Sequence, residues 1–208
     1  MKLVDLTVTD FMQVLGSDEP APGGGSASAL AAAMGISLTK MVAELTVGKK
    51  KYAEFDALMK KCQTDAAQSQ EELLRAIDED TEAFNAVSAV FSMPKETDDE
   101  KAKRREAMQT ALEGAAKTPY QMMEKIVYAL HITKEAVGKS NVNAASDLGV
   151  AALNLKSALQ GAWLNVLINL SGIKNEEFVK QYRMTGEKIL TEGCRLADEI
   201  YAEILKIV

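Results

Sequence analysis

The sequence predicts an all-α protein, an elongated antiparallel helical bundle of about seven helices. Three observations predict it. Apolar residues recur at steps of three and four almost everywhere, and no stretch alternates convincingly as a strand would. Residues that start and stop helices stand where the apolar periods begin and end. The connections left between them are short, which makes consecutive helices antiparallel neighbours.

Helices are expected at about 9–16, 25–47, 50–92, 98–116, 119–137, 144–171 and 175–206, within one domain covering 1–208. Gly16, Gly48, Gly138 and Gly172 stand where helices stop. Helix 25–47 is rich in Ser, Ala and Gly, which permits close approach of a neighbour. The stripe Phe55, Leu58, Cys62, Ala66, Ser69, Leu73, Ile77, Asp80, Phe84, Val87 and Phe91 marks the longest helix, about 54 Å if straight. Thr97 followed by Asp98, Asp99 and Glu100 matches a capping box with acids in the first turn. Thr118 with Pro119 and Gln121 repeats that pattern and predicts a new helix start. The stretch Leu148–Leu170 is mostly apolar and belongs at a bundle centre or a dimer interface. Asn175 with Glu176 and Glu177 opens the last helix.

Composition narrows the chemistry. Hydrophobic residues make up 47% and charged residues 26%, an ordinary globular mix. A net charge of −6 argues against nucleic acid as the main partner. His131 is the single histidine, and Cys62 and Cys194 are the two cysteines, with neither CxxC nor HxxxH spacing. No metal site is expected from such a set, and two separated cysteines fit a reducing compartment. The N-terminus carries Asp5 and Asp10 and is not a signal peptide. The uncharged run from Pro20 to Thr39 opens with PAPGGG and leaves too little continuous apolar helix for a membrane span. A cytoplasmic protein is expected, with its chemistry resting on carboxylates, amides, hydroxyls, lysines and backbone.

Four places can carry that chemistry. Gly23, Gly24, Gly25 and Ser26 lead into a helix, where backbone N–H groups favour an anion; a plain turn capped by Ser26 is the alternative. Ile77-Asp78-Glu79-Asp80-Thr81-Glu82 crowds four acids into five positions, which raises at least one pKa as a general acid requires. Asp80 falls on the apolar stripe and Asp78 one step to its side; a solvated acidic face paired to lysines is the competing reading. Lys139-Ser140-Asn141-Val142-Asn143-Ala144-Ala145-Ser146-Asp147 holds more polar groups than one helix cap needs. Beyond it Asn154, Gly161, Asn165 and Asn169 share one helical face, fit to bind a heterocycle or to bridge helices. Gly48-Lys49-Lys50-Lys51-Tyr52 is a basic cluster in an acidic chain, either a solvated helix start or an attractor of anions.

PAPGGGSASAL, GKKKY, IDEDTEAF, MPKETDDEKAKRREAMQ, GKSNVNAASDLGVAA and NVLINL occur in this order along the chain. In motifs and spacing the chain resembles the formiminotransferase-cyclodeaminase C-terminal family, which includes formiminotetrahydrofolate cyclodeaminases and methenyltetrahydrofolate cyclohydrolases. The resemblance covers nearly the whole sequence and implies a helical homodimer acting on a tetrahydrofolate derivative, with no separate cofactor. No formiminotransferase domain is recognised, so the chain looks like a free-standing cyclodeaminase or cyclohydrolase, with a formiminotransferase as a candidate partner enzyme. By this resemblance Asp78, the first aspartate of D-x-D-T-E-A-F, is the catalytic acid. Gly23, Gly24, Gly25, Ser26, Lys49, Lys50, Tyr52, Asp80, Asn141, Asn143, Ser146 and Asp147 are then expected around the folate. The implied reaction turns N5-formiminotetrahydrofolate into 5,10-methenyltetrahydrofolate and ammonia. The alternative is hydrolysis of the methenyl compound to 10-formyltetrahydrofolate, and a more remote one is a non-catalytic bundle binding folate or a protein.

Overall fold

The structure, a computed structural model, describes residues 2–208. Six α-helices carry the fold: α1 (Val8–Leu15), α2 (Gly24–Glu44), α3 (Asp56–Phe91), α4 (Asp98–Ala136), α5 (Ala145–Leu170) and α6 (Glu176–Ile204). Short 3₁₀ turns at Leu3–Asp5, Lys50–Phe55 and Val142–Ala144 complete it, and no strand is present among the described residues.

Local chemistry explains most helix ends. Thr7 accepts from the Asp10 N–H to start α1, and Asn175 accepts from the Phe178 N–H to start α6. The Thr97 capping box is complete: Thr97 Oγ1 accepts from the Glu100 N–H while the Glu100 carboxylate accepts from the Thr97 N–H. Gly48 and Gly138 end their segments at φ +75° and +72°, a region that penalises any side chain.

The expected break at Thr118-Pro119 does not occur, so six helices stand where about seven were expected. Pro119 lies inside α4, fully packed, and costs it one backbone bond because it has no N–H for the Ala115 carbonyl. That carbonyl is satisfied from outside the helix: Asn169 Nδ2 on α5 donates to it at 3.0 Å. A proline that resembled a first-turn residue is therefore tolerated mid-helix by a neighbour's amide.

Around α5 the bundle is densest, with Leu148, Leu155, Leu159 and Val166 fully buried. α2 lies between α3 and α5, α4 packs on α3 and α5, and α6 covers α5 and α4. α2 has the length and composition of a membrane span but sits inside the bundle. Its approach to α5 is close enough that a Cβ on Gly35 would meet Leu155, and one on Gly161 would overlap Ser28. Shortening Leu155 to Ala empties this crossing. The expected cost is about 2–5 kcal/mol, read as a lower urea midpoint with an unchanged slope.

α3 runs antiparallel to α2, as the Ser37–Gln70 and Ser26–Asp80 pairings show. Because α2 begins at Gly24, nothing on that side covers α3 beyond Asp80. The apolar stripe of α3 is accordingly buried at Cys62, Ala66, Leu73 and Ile77, whereas Phe84 is 41% and Phe91 64% exposed. The rest of α3 and the first half of α4 project as a hairpin arm.

Candidate active site

The cleft forms where α2 starts and α3 loses its cover. Pro20, Ala21, Gly23, Gly24 and Gly25 make one wall, Asp80, Ala83, Phe84 and Val87 of α3 a second, and Asn165, Ile168 and Asn169 of α5 a third. Its volume is about 290 Å³. Ala115 on α4 closes the back.

Asp80 is fixed by the first turn of α2. Its Oδ2 accepts from the Ser26 N–H at 2.8 Å and from Ser26 Oγ at 3.0 Å. Ser26, fully buried, also lies within hydrogen-bond distance of the Ile77 carbonyl and Thr81 Oγ1. A Cβ on Gly25 would overlap the Asp80 carboxylate, so the residue at 25 must lack one. Burial pushes the Asp80 pKa up from its ordinary value, and the two Ser26 hydrogen bonds oppose that without cancelling it. The helix start favours the carboxylate, while partial burial favours the acid. Such a group can both give and take a proton.

Asp78 faces elsewhere. Its Oδ1 accepts from the Leu3 N–H at 2.6 Å, and it borders a separate cleft with Lys2, Val4, Arg75, Glu79 and Glu82. Glu79 reaches Lys125 of α4 at 3.6 Å. The acidic run therefore divides its members among different neighbours.

The other expected residues gather at the far end of α2. Tyr52 Oη accepts from the Val142 N–H at 3.0 Å, and Lys51 Nζ stands 5.4 Å from the Tyr52 ring centre. The Asn141 N–H donates to Thr46 Oγ1, and Asn141 Oδ1 accepts from the Asn143 N–H. Lys49, Lys50, Asn143 and Ser146 are exposed there, with Asp147 half-buried in the first turn of α5. The structure thus brings GKKKY and the SNVN segment together and leaves Gly23–Ser26 and Asp80 apart from them. The two groups stand at opposite ends of α2, a helix of 21 residues about 30 Å long.

Asn165 and Asn169 line the cleft although they were not among the residues expected around the folate; in the sequence their shared face is fit to bind a heterocycle or to bridge helices. Asn165 Nδ2 donates to the Gly161 carbonyl at 2.9 Å; Asn169 Nδ2 donates to both the Asn165 and Ala115 carbonyls. The shared face with Gly161 was the available signal. Asn154 bonds only to Val150 of its own helix. His131 is exposed and 3.5 Å from Glu192, remote from the cleft. Cys62 is fully buried, with its thiol pushed up to about 11 by burial, and burial also raises that of half-buried Cys194.

A cleft that joins a partly buried carboxylate to a glycine-opened helix start is an arrangement that acid–base enzymes use on small molecules. Comparison with known proteins gives the particular family. The formiminotransferase-cyclodeaminase family model matches residues 7–188, and the chain belongs to that family. It is 36% identical over 198 residues to methenyltetrahydrofolate cyclohydrolase of Methylorubrum extorquens, covering 95% of each chain. It is 32% identical to formimidoyltransferase-cyclodeaminase of Gallus gallus, spanning 92% of this chain and 35% of that one. The crystal structure of formiminotetrahydrofolate cyclodeaminase from Thermotoga maritima superposes with a TM-score of 0.80 at 27% identity, over 97% of this chain and 95% of that one.

Proposed function

We propose that the protein converts N5-formiminotetrahydrofolate to 5,10-methenyltetrahydrofolate and ammonia, with Asp80 moving the protons. The observation that carries this reading is the desolvated Asp80 carboxylate at the glycine-opened start of α2. In the reaction N10 attacks the formimino carbon and forms the new C–N bond. The formimino group reacts as its protonated amidinium, so attack leaves an NH2 group on carbon. The carboxylate takes the N10 proton and gives it to that nitrogen, whose bond to carbon then breaks as ammonia leaves and the methenyl cation remains. Nucleophile and electrophile belong to one molecule, so orientation supplies much of the acceleration and no further cofactor is required.

The resemblance gave the catalytic role to Asp78. Its engagement by the Leu3 N–H and its placement on a separate cleft support Asp80 instead. Asp78→Asn is expected to retain turnover within about tenfold, since asparagine can still accept from the Leu3 N–H and the proton carrier is untouched.

The two clusters at the ends of α2 are too far apart to meet one folate in one chain. Exposed Met34, Met41, Leu45, Val150, Leu153, Leu164 and Ile168 lie on α2 and α5 between them. A homodimer that buries this face with its α2 helices antiparallel sets Lys49, Lys50 and Tyr52 of one subunit toward Gly23–Ser26 and Asp80 of the other. Lysines there would meet the anionic tail of the folate. Mixing the Asp80→Asn variant with a Lys49→Ala/Lys50→Ala variant is then expected to restore activity neither has alone, as mixed dimers regain one intact site. Additive residual activities, or a monomer on a sizing column, would contradict the shared site.

A second reading is hydrolysis of the methenyl compound, with water activated by the same carboxylate. It is supported by the length-matched similarity to the Methylorubrum cyclohydrolase. Purified protein mixed with each folate separates the two: growth of the methenyl chromophore from the formimino compound supports deamination, and its accelerated loss supports hydrolysis. Binding without either change would leave a folate-binding bundle. Unpaired Cys62 and Cys194 support a cytoplasmic setting, where a formiminotransferase would supply the substrate.

A further inference from the structure

We propose that Asn169 is a specificity-determining residue, presenting the cleft with an obligate hydrogen-bond acceptor that selects a one-carbon unit bearing N–H over one bearing oxygen. The inference rests on the deamination proposed above and adds how the site tells formimino from formyl.

The argument starts from Pro119. Lacking an N–H, it leaves the Ala115 carbonyl of α4 without its helical partner, and Asn169 Nδ2 fills the gap at 3.0 Å. The second hydrogen of Nδ2 goes to the Asn165 carbonyl at 2.9 Å. Both partners are carbonyl oxygens with no proton to offer, so the amide has one orientation that satisfies them. Turning it over would set Oδ1 against two other acceptors in a half-buried site. Oδ1 is therefore the group that Asn169 has left for the cleft it lines with Asp80 and Gly24.

A fixed acceptor discriminates by sign. The formimino nitrogen carries N–H in the substrate, in the tetrahedral intermediate and in the departing ammonia, and can donate to Oδ1 throughout. The formyl oxygen of 5-formyltetrahydrofolate, which has nearly the same shape, brings lone pairs against lone pairs. A site built around one polar match rejects the mismatched isostere because its own buried group is left unpaired.

The test compares KM for 5-formiminotetrahydrofolate with Ki for 5-formyltetrahydrofolate in wild type, Asn169→Ala and Pro119→Ala, with thermal unfolding followed alongside. Wild type is expected to favour the formimino compound by at least about tenfold. Asn169→Ala should bring the ratio toward one. Pro119→Ala gives Ala115 a backbone N–H partner but leaves its carbonyl and that of Asn165 as acceptors, so the amide keeps its orientation and the ratio should stay near the wild-type value. A ratio unchanged in folded Asn169→Ala, or near one in wild type, overturns the role of Asn169 and leaves the deamination standing. Wild type that turns over no formimino compound overturns the deamination and the selectivity with it.

Discussion

Asp80→Asn is expected to lower kcat by about 10²–10⁴-fold, the usual contribution of a positioned acid–base group. Asparagine keeps the shape and can still accept from the Ser26 N–H, so KM should change far less than kcat. Stability should move the other way with pH. Asp80 is harder to ionise in the folded protein than in the unfolded chain, because burial raises its pKa from the ordinary 3.8. The folded state therefore holds its proton more tightly, an advantage fully present below the unfolded value and lost as pH rises through the folded one. Wild type should lose stability relative to the variant across that window. Urea titrations at several pH values read the difference, and equal profiles would show that the carboxylate is not desolvated. Unchanged kcat in Asp80→Asn, with a large loss in Asp78→Asn, would return the catalytic role to Asp78.

Gly25→Ala should be nearly as damaging to turnover without replacing a reacting group. The added Cβ overlaps the Asp80 carboxylate, which has to swing away from the Ser26 N–H and Oγ. Activity should fall by about 10²-fold or more, with a stability loss of about 0.5–2 kcal/mol from the lost cap. Gly114→Ala is the control. It lies within α4 with nothing within 4 Å of the added carbon, and alanine there should stabilise by roughly 0.5–1 kcal/mol. Full activity in Gly25→Ala would mean that the geometry between α2 and Asp80 is dispensable.

Much of the helical framework could be read from local chemistry, since caps at Thr97 and Asn175 and stops at Gly48 and Gly138 act through their immediate neighbours. Pro119 misled because its cost depends on a partner 50 residues away in sequence, Asn169, which no local pattern reveals. The exposure of Phe84 and Phe91 was equally invisible, because the stripe on α3 continues past the point where α2 starts. The acidic run was visible as unusual chemistry. Its division between Asp78, tied to the N-terminal turn, and Asp80, tied to Ser26, follows from which element packs on each side. The separation of GKKKY from the glycine turn was present in the sequence all along. A helix of about 25–47 cannot place both of its ends on one small molecule.

Cys62 and Cys194 have a practical consequence for following the arm that α3 and α4 extend into solvent. Reaction with maleimides goes through the thiolate, which burial disfavours at both native cysteines. A Phe91→Cys replacement puts a new thiol at the exposed end of α3, where it should label first and almost alone. A fluorophore attached there would report, without removing either native cysteine, whether the arm changes its surroundings when folate is added.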